Sequence, residues 1–503
     1  MHRSPLKRLT AVSLVACTLA ACAREEAAVA RRETRRSLRI GTGVPAAAGL
    51  GGLQQLAHTL TNEYLVALGD DGRARSRLAS RWRSEGNRTW YLTVPPQVVL
   101  HDGTVLDANG IAGALRRVAA DPTRMLALAL REISDISAPT EREIAVRLRR
   151  PMALFLADLM DAPIAGTSPA GPFKLVTQGP DRVVLRAHRS YYRGRPGVED
   201  LELVRYDTLR RAWSALMRRE IDLLYEVSPE ARQFVEPVSD LDIFSFPRPY
   251  AYAILFNVDR GPLRDAAVRR ALNWAVDRRT LIDRVLRDTG EPATSPVWSR
   301  YWAYDKSAPT FGHDLRAARG LLGTGAAPDG TSGPRRVTHR FKCMVLVDVQ
   351  PFEPMALLIQ RELLEIGIDM QLEPVSVPEF FSRLSTGNFE AGLLEMLGGY
   401  WPQGFYAWFH SPAPGTTPLA RTGYRAADAA LDRLRYAPTD EEVRRAVADF
   451  QRIIYEDPPA LFLAWSQRTR AVSRRFEVPV EPGRDIMATL WAWRPAVREE
   501  ERR

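Results

Sequence analysis

The stretches FKCMVLVDV (residues 341–349) and PMALLIQRELLEIGIDMQLEPVSV (residues 354–377) read in succession as strand, helix and strand. Gly367 closes the helix, and Ile368, Met370 and Leu372 then alternate with polar neighbours. Two strands of one sheet joined through a helix run parallel with a right-handed crossover, so this part of the chain is α/β. Just upstream, YAYAILFNVDRGPLRDAAVRRALNWAVDRRTLI (residues 250–282) predicts a strand from Tyr252 to Asn257. A helix follows, capped by Asp265, with Val268, Ala271, Leu272, Ala275 and Val276 turned inward.

An earlier α/β segment opens with SLRIGTG (residues 37–43), a short strand ending at a glycine turn, and LQQLAHTLTNEYLVAL (residues 53–68) at helical spacing. Gly41 and Gly43 do not make a dinucleotide loop, because Ala46 stands where the third glycine is required. Residues 135–150 and 171–192 read as strands with polar turns, and residues 207–227 as an amphipathic helix running into a strand. The Pro- and Gly-rich stretch 323–336 reads as a surface loop. At 503 residues the chain exceeds one core, and two or three domains are expected.

Arg3, Lys7 and Arg8 precede the apolar run LTAVSLVACTLAA (residues 9–21), too short to span a bilayer and built like the h-region of an export signal. The LAAC that ends at Cys22 resembles a bacterial lipobox, so Cys22 is the expected lipidation site, and residues 23–37 read as a tether. With Cys17 removed and Cys22 acylated, Cys343 is alone and no internal disulfide forms. The net charge of +10 comes from Arg interspersed with acids, Lys occurring only at Lys7, Lys174, Lys306 and Lys342. No aromatic-basic module accompanies it, and nucleic acid is not an expected partner.

RTWYLTVPPQVVLHDGTVLDANGIAGALRR (residues 88–117) places His101, Asp102 and Gly103 between a strand, with Trp90, Leu92 and Val94 inward, and a helix capped by Asp107. His2, His58, His188, His313, His339 and His410 stand apart without metal-ligand spacing, so the turn reads as a corner. GTSPAG (residues 166–171) misses the nucleophile-elbow spacing and puts Pro169 after Ser168. No catalytic residue, cofactor or metal is expected.

Taken in order, RLASRW (77–82), the stretch 88–117, GPFKL (171–175), SYYRGRP (190–196), residues 254–282, IQRELLEIGIDMQL (359–372) and FFSRLSTGNFEAGLL (380–394) resemble the peptide and nickel class, family 5, of solute-binding proteins of ABC importers. The resemblance implies a two-lobed periplasmic-binding-protein-like α/β fold with an extra subdomain and mixed β-sheets flanked by helices. It implies a signal peptide over 1–21, a lipid-anchored tether over 22–37, and lobe I from 38–76, 167–250 and 471–503. The extra subdomain is 77–166 and lobe II is 251–470. Hinges are expected near Tyr250 to Leu255 and Thr469 to Phe476.

The resemblance also implies a ligand site at Thr42, Gly43, Tyr250, Tyr252, Gly399, Tyr400 and Trp401. Peptide-binding relatives carry an Asp for the ligand amine where Gly399 stands, and aromatics (Tyr400, Trp401, Phe405, Tyr406, Trp408, Phe409) take its surroundings here. The expected ligand is a small organic solute, peptide-like or aromatic or sugar-like, in a pocket with few charges. The expected partners are an ABC permease and ATPase, with the binding protein an exported, membrane-anchored monomer. An orphan receptor for a membrane sensor and a lipid-anchored hydrolase are the alternatives, the latter lacking a nucleophile with a base.

Overall fold

The structure, a computed structural model, describes residues 36–43, 52–120, 128–166, 168–323, 337–347, 349–399, 402–412 and 418–496. Cys22, the tether up to residue 35, Tyr400, Trp401 and most of the 323–336 loop lie outside the described residues, and Ser37, expected as the tether's end, already belongs to the first strand. In the first unit β1 (Ser37–Thr42) is followed by α1 (Leu53–Thr61), whose Leu53, Leu56, Ala57 and Leu60 form the buried stripe. A smaller sheet then forms from β2 (Arg81–Glu85), β3 (Thr89–Thr93), β4 (Ile133–Thr140) and β5 (Glu143–Leu148), in the order β2-β3-β5-β4. The helix α2 (Ala108–Ala120) packs on it, and Trp90, Leu92, Ile111, Leu115, Ile144 and Val146 share its core. Asp107 accepts the Gly110 N–H at 2.8 Å, which is the N-terminal cap its position before the helix calls for.

The first unit resumes with β6 (Phe173–Gln178), β7 (Arg182–Ala187), β8 (Asp200–Arg205), α3 (Leu209–Met217) and β9 (Leu223–Leu224). β1 lies parallel between β8 and β9. Leu38, Ile40, Phe173, Leu201 and Leu203 close this core together with Phe476, Ile486, Leu490 and Trp493 from the far end of the chain.

Next comes β10 (Leu241–Phe256), of 16 residues, in place of the short strand expected from Tyr252. Pro247 and Pro249 interrupt the sequence pattern, yet they fall where the pairing register shifts between Pro247 and Ala251. Proline lacks an N–H to donate, and an irregular point in the ladder is where a strand tolerates it. The second unit adds α4 (Ala266–Ala275), β11 (Gly290–Pro292), β12 (His339–Leu346), α5 (Phe352–Leu364), β13 (Ile368–Val375), α6 (Val377–Thr386) and β14 (Ala391–Leu397). The β12–α5–β13 unit is parallel from His339 opposite Ile368 to Leu346 opposite Val375, and Gly367 has φ +82° at the helix exit. The Asp265 carboxylate accepts the Ala267 N–H at 2.7 Å and caps α4.

Three helices, α7 (Pro402–Phe409), α8 (Asp428–Arg435) and α9 (Asp440–Glu456), precede β15 (Ala460–Ser473). β15 pairs along β10 through both units, so the main sheet runs β6-β7-β8-β1-β9-β15-β10-β14-β12-β13, with β11 beside β15. The molecule is a two-lobed α/β protein whose lobes share these two long strands. Direct contacts join the lobes elsewhere too. Arg73 reaches Asp440 at 2.7 Å and lies 3.7 Å over the Trp302 ring, and the Ala153 N–H donates to the Ala437 carbonyl at 2.9 Å.

Candidate functional site

Strand direction locates the site. β1, β8 and β9 are parallel, as are β12, β13 and β14, but β15 and β10 between the two sets are antiparallel to their neighbours. The two parallel sets therefore point toward each other and stop at the middle of β10 and β15. Ligands of open α/β sheets bind outside the carboxyl ends of the strands, and here the carboxyl ends of both lobes converge on one place. Thr42 and Leu224 end on one side and Leu397 on the other.

The side chains at this meeting point are charged. On β15 the Arg468 guanidinium donates to Glu226 at 2.8 Å and to Glu395 at 2.6 Å, tying the first lobe to β14 of the second. Burial alone would raise the Glu395 carboxyl, but the Arg468 and Arg248 guanidiniums outweigh it and hold the group below the usual range. Burial likewise opposes the charge on Arg468, and Glu226 and Glu395 overcome it and keep the guanidinium ionised. Arg248 stands 3.8 Å from Glu395 and lies 3.9 Å over the Tyr250 ring, with its side chain 28% exposed. Arg470 binds Asp485 and the Tyr225 carbonyl, and the Tyr225 N–H donates to the Gly41 carbonyl at 2.9 Å.

The residues expected from the sequence fall around this cluster in two groups. Tyr250 and Tyr252 lie on β10 opposite Leu397 and Glu395. Tyr252 is buried edge-on against Phe352 at 6.0 Å, and burial pushes its hydroxyl well above the usual phenol range. Gly399 sits beside them, held by Trp298 N–H donation to its carbonyl at 2.8 Å and by its own N–H to the Pro296 carbonyl at 3.0 Å. Its φ is +68°, and a Cβ there would lie 2.7 Å from Pro249 Cβ, so the position admits no side chain without rearrangement. Thr42 and Gly43 form the other group, at the end of β1. Thr42 accepts the Tyr206 N–H at 2.7 Å through its carbonyl, and a Cβ on Gly43 would run into the Leu209 backbone at 2.5 Å.

Of the aromatics after Gly399, Phe405, Trp408 and Phe409 belong to the second lobe's core, where Phe405 and Phe409 pack against Phe450. Tyr406 stacks on His410 at 4.0 Å. Sequence reading expects few charges here, whereas the structure gathers Glu226, Arg248, Glu395 and Arg468. The available signal was Arg468 and Arg470 inside the apolar run ALFLAWSQRTRAVS and Glu395 inside AGLLEML, since charges in buried strands need partners.

The His101 turn lies away from this cluster, at the smaller sheet. The Leu100 N–H donates to the Thr104 carbonyl at 2.8 Å, and Gly103 turns the corner at φ +89°. His101 and His188 both reach the Gly171 carbonyl, at 2.9 and 3.2 Å, with their rings edge to face at 5.1 Å. Burial lowers both imidazoles, His188 to about 4. Among the described residues no group of three or more His, Cys, Asp or Glu side chains is placed to hold a metal.

Comparison with known proteins agrees with this fold. The family model of the bacterial extracellular solute-binding proteins, family 5 Middle, matches residues 73–417. The probable D,D-dipeptide-binding periplasmic protein DdpA of Escherichia coli K12 is 24% identical over 424 residues, 77% of this chain and 78% of the relative. The solved structure of NikZ from Campylobacter jejuni in complex with Ni(L-His) superposes with TM-score 0.78 at 18% identity, covering 92% of this chain and 99% of that one. AppA from Bacillus subtilis, solved with a nonapeptide, gives TM-score 0.74 at 18% identity, covering 92% and 99%.

Proposed function

Because the chain belongs to the bacterial extracellular solute-binding proteins, family 5, we propose that it is the lipid-anchored receptor of an ABC importer and closes its lobes on a peptide-like or other small organic solute. The family consists of substrate-binding receptors and not of enzymes. No helix among the described residues is long and apolar enough to cross a membrane. The observation that carries the reading is the convergence of both sets of parallel strands on the middle of β10 and β15, with Tyr250, Tyr252 and Gly399 on one side and Thr42 and Gly43 on the other.

In this reading residues 38–76, 167–250 and 471–503 make lobe I, 77–166 the extra subdomain and 251–470 lobe II. Three main cores support the division, although the subdomain core also takes in Leu65, Val66 and Ala170 and the lobe II core takes in Leu154. The hinge is the irregular stretch of the β10–β15 ladder, Pro247 to Ala251 opposite Gln467 to Trp465. The second hinge thus moves a few residues upstream of the expected Thr469, which stays in regular register opposite Ser245. Cys22 carries the lipid, Tyr400 and Trp401 line the ligand, and the receptor works as a monomer that delivers its solute to a permease and ATPase.

Closure binds a solute only as far as the closed form holds it better than the open one. Small-angle scattering of the soluble chain is recorded with di- and tripeptides, amino acids, sugars and nickel–histidine. At least one solute should contract the particle and saturate at one per chain; a particle that none of them contracts would overturn the receptor reading.

A further inference from the structure

At the site proposed above, two opposite charges lie exposed to each other without a hydrogen bond. Among the described residues the Arg248 side chain makes no hydrogen bond; it has the 3.8 Å approach to Glu395 Oε1 and the face of Tyr250. Glu395 spends Oε2 on Arg468 at 2.6 Å, while its buried Oε1 has no partner in well-formed hydrogen-bond geometry, the Ser466 hydroxyl being the protein group nearest to serving the carboxyl. A buried carboxylate oxygen left in this state is costly unless something satisfies it, and the partly exposed guanidinium fork beside it is free to take a further acceptor. Their neighbour Arg468 is already divided between Glu226 and Glu395 and has no reason to move.

We propose that Arg248 and Glu395 form a split subsite for a zwitterionic head group, the carboxylate of the solute on Arg248 and its ammonium on Glu395 Oε1. The inference rests on the receptor reading and names its solute class. Geometry supports it first. The carboxylate oxygen and ammonium nitrogen of an α-amino acid lie roughly 3 Å apart by standard bond lengths. Placed beside the 3.8 Å gap, such a head group closes a four-cornered ring with two charge-assisted hydrogen bonds.

Charge balance supports it second. Glu226 and Glu395 are matched by Arg248 and Arg468, so the cluster is neutral as it stands. A simple anion or cation would leave a buried net charge, whereas a zwitterion satisfies both groups and leaves the balance unchanged. Tyr250 fixes the plane of the Arg248 guanidinium by stacking, which orients its fork before the solute arrives. Gly399 complements this arrangement: where the resemblance places an acid for the solute's amine, no side chain fits, and the buried acid four residues upstream takes the role.

The test is calorimetric titration of the soluble chain with four probes that differ only in charge: L-phenylalanine, L-phenylalaninamide, N-acetyl-L-phenylalanine and N-acetyl-L-phenylalaninamide. Phenylalanine should bind about ten-fold tighter or more than each of the others. Arg248→Gln should remove the preference for the carboxylate and Arg248→Lys restore part of it. Glu395→Gln should remove the preference for the ammonium, with Arg468 still paired to Glu226. Equal binding of the four probes, binding of none, or an order that survives Arg248→Gln would overturn the subsite. The two readings fail separately: solutes that contract the particle while the probes rank otherwise sink only the subsite.

Discussion

Gly399 shows how one residue can be read rightly as a position and only partly as a cause. Sequence marks it as the place where an acid is missing; the structure adds that its φ of +68° and the 2.7 Å approach to Pro249 exclude any Cβ. Backbone placed in that region by a non-glycine residue costs on the order of 1–3 kcal/mol. Gly399→Ala and Gly399→Asp should each lower stability by that much or more in urea titrations, and Gly399→Asp should not create an amine anchor. A stable Gly399→Asp protein that gains affinity for free-amine peptides would contradict this. His188 offers a second test. Its imidazole is depressed to about 4 by burial, with His101 and Lys174 adding to the effect. A base whose folded pKa lies below its unfolded value leaves stability intact above about 6.5 and removes it as the pH falls toward 4. The melting temperature should therefore drop over that window by more in the wild type than in His188→Asn, which keeps a donor for Gly171; equal losses would assign the acid sensitivity elsewhere.

At the scale of elements, the segments with regular periodicity were legible and the shared strands were not. The β12–α5–β13 unit, the Asp265 and Asp107 caps and the Gly367 exit follow from local pattern, because each is set by residues within a few positions. β10 was read at less than half its length because two prolines stand near its middle and the part before them owes its strand conformation to a partner, β15, over two hundred residues away. The charge cluster was hidden for the same reason: Glu395 and Arg468 sit on two strands and Glu226 just past the end of β9, and they become one group only through pairing of strands far apart in sequence. Removing the shared member of such a buried group leaves charges uncompensated and costs roughly 3–5 kcal/mol. Arg468→Ala should lose about that much stability, and Arg468→Ala combined with Glu226→Gln and Glu395→Gln should lose less. A triple variant no more stable than Arg468→Ala would show that the arginine contributes through packing and not through charge.

At the scale of the molecule, two lobes share two strands, and the direct contacts of Arg73 with Asp440 and Ala153 with Ala437 hold them together away from those strands. The order of motifs along the sequence was enough to imply this division, since the family resemblance spans nearly the whole of it, but Tyr400, Trp401 and Cys22 lie outside the described residues and stay with the sequence-based proposal. Cys22→Ser should release the protein from membranes in a fractionation experiment, and unchanged attachment would refute the lipid anchor. The central claim, that a solute binds where the strand ends of both lobes converge, is tested most directly by hydrogen exchange of the soluble chain with and without the solute that contracts it. Protection should rise together at residues 41–43 and 225–226 in one lobe and at residues 247–252 and 395–399 in and beside the other. Protection confined to one lobe, or appearing only at the smaller sheet around His101, would contradict the account.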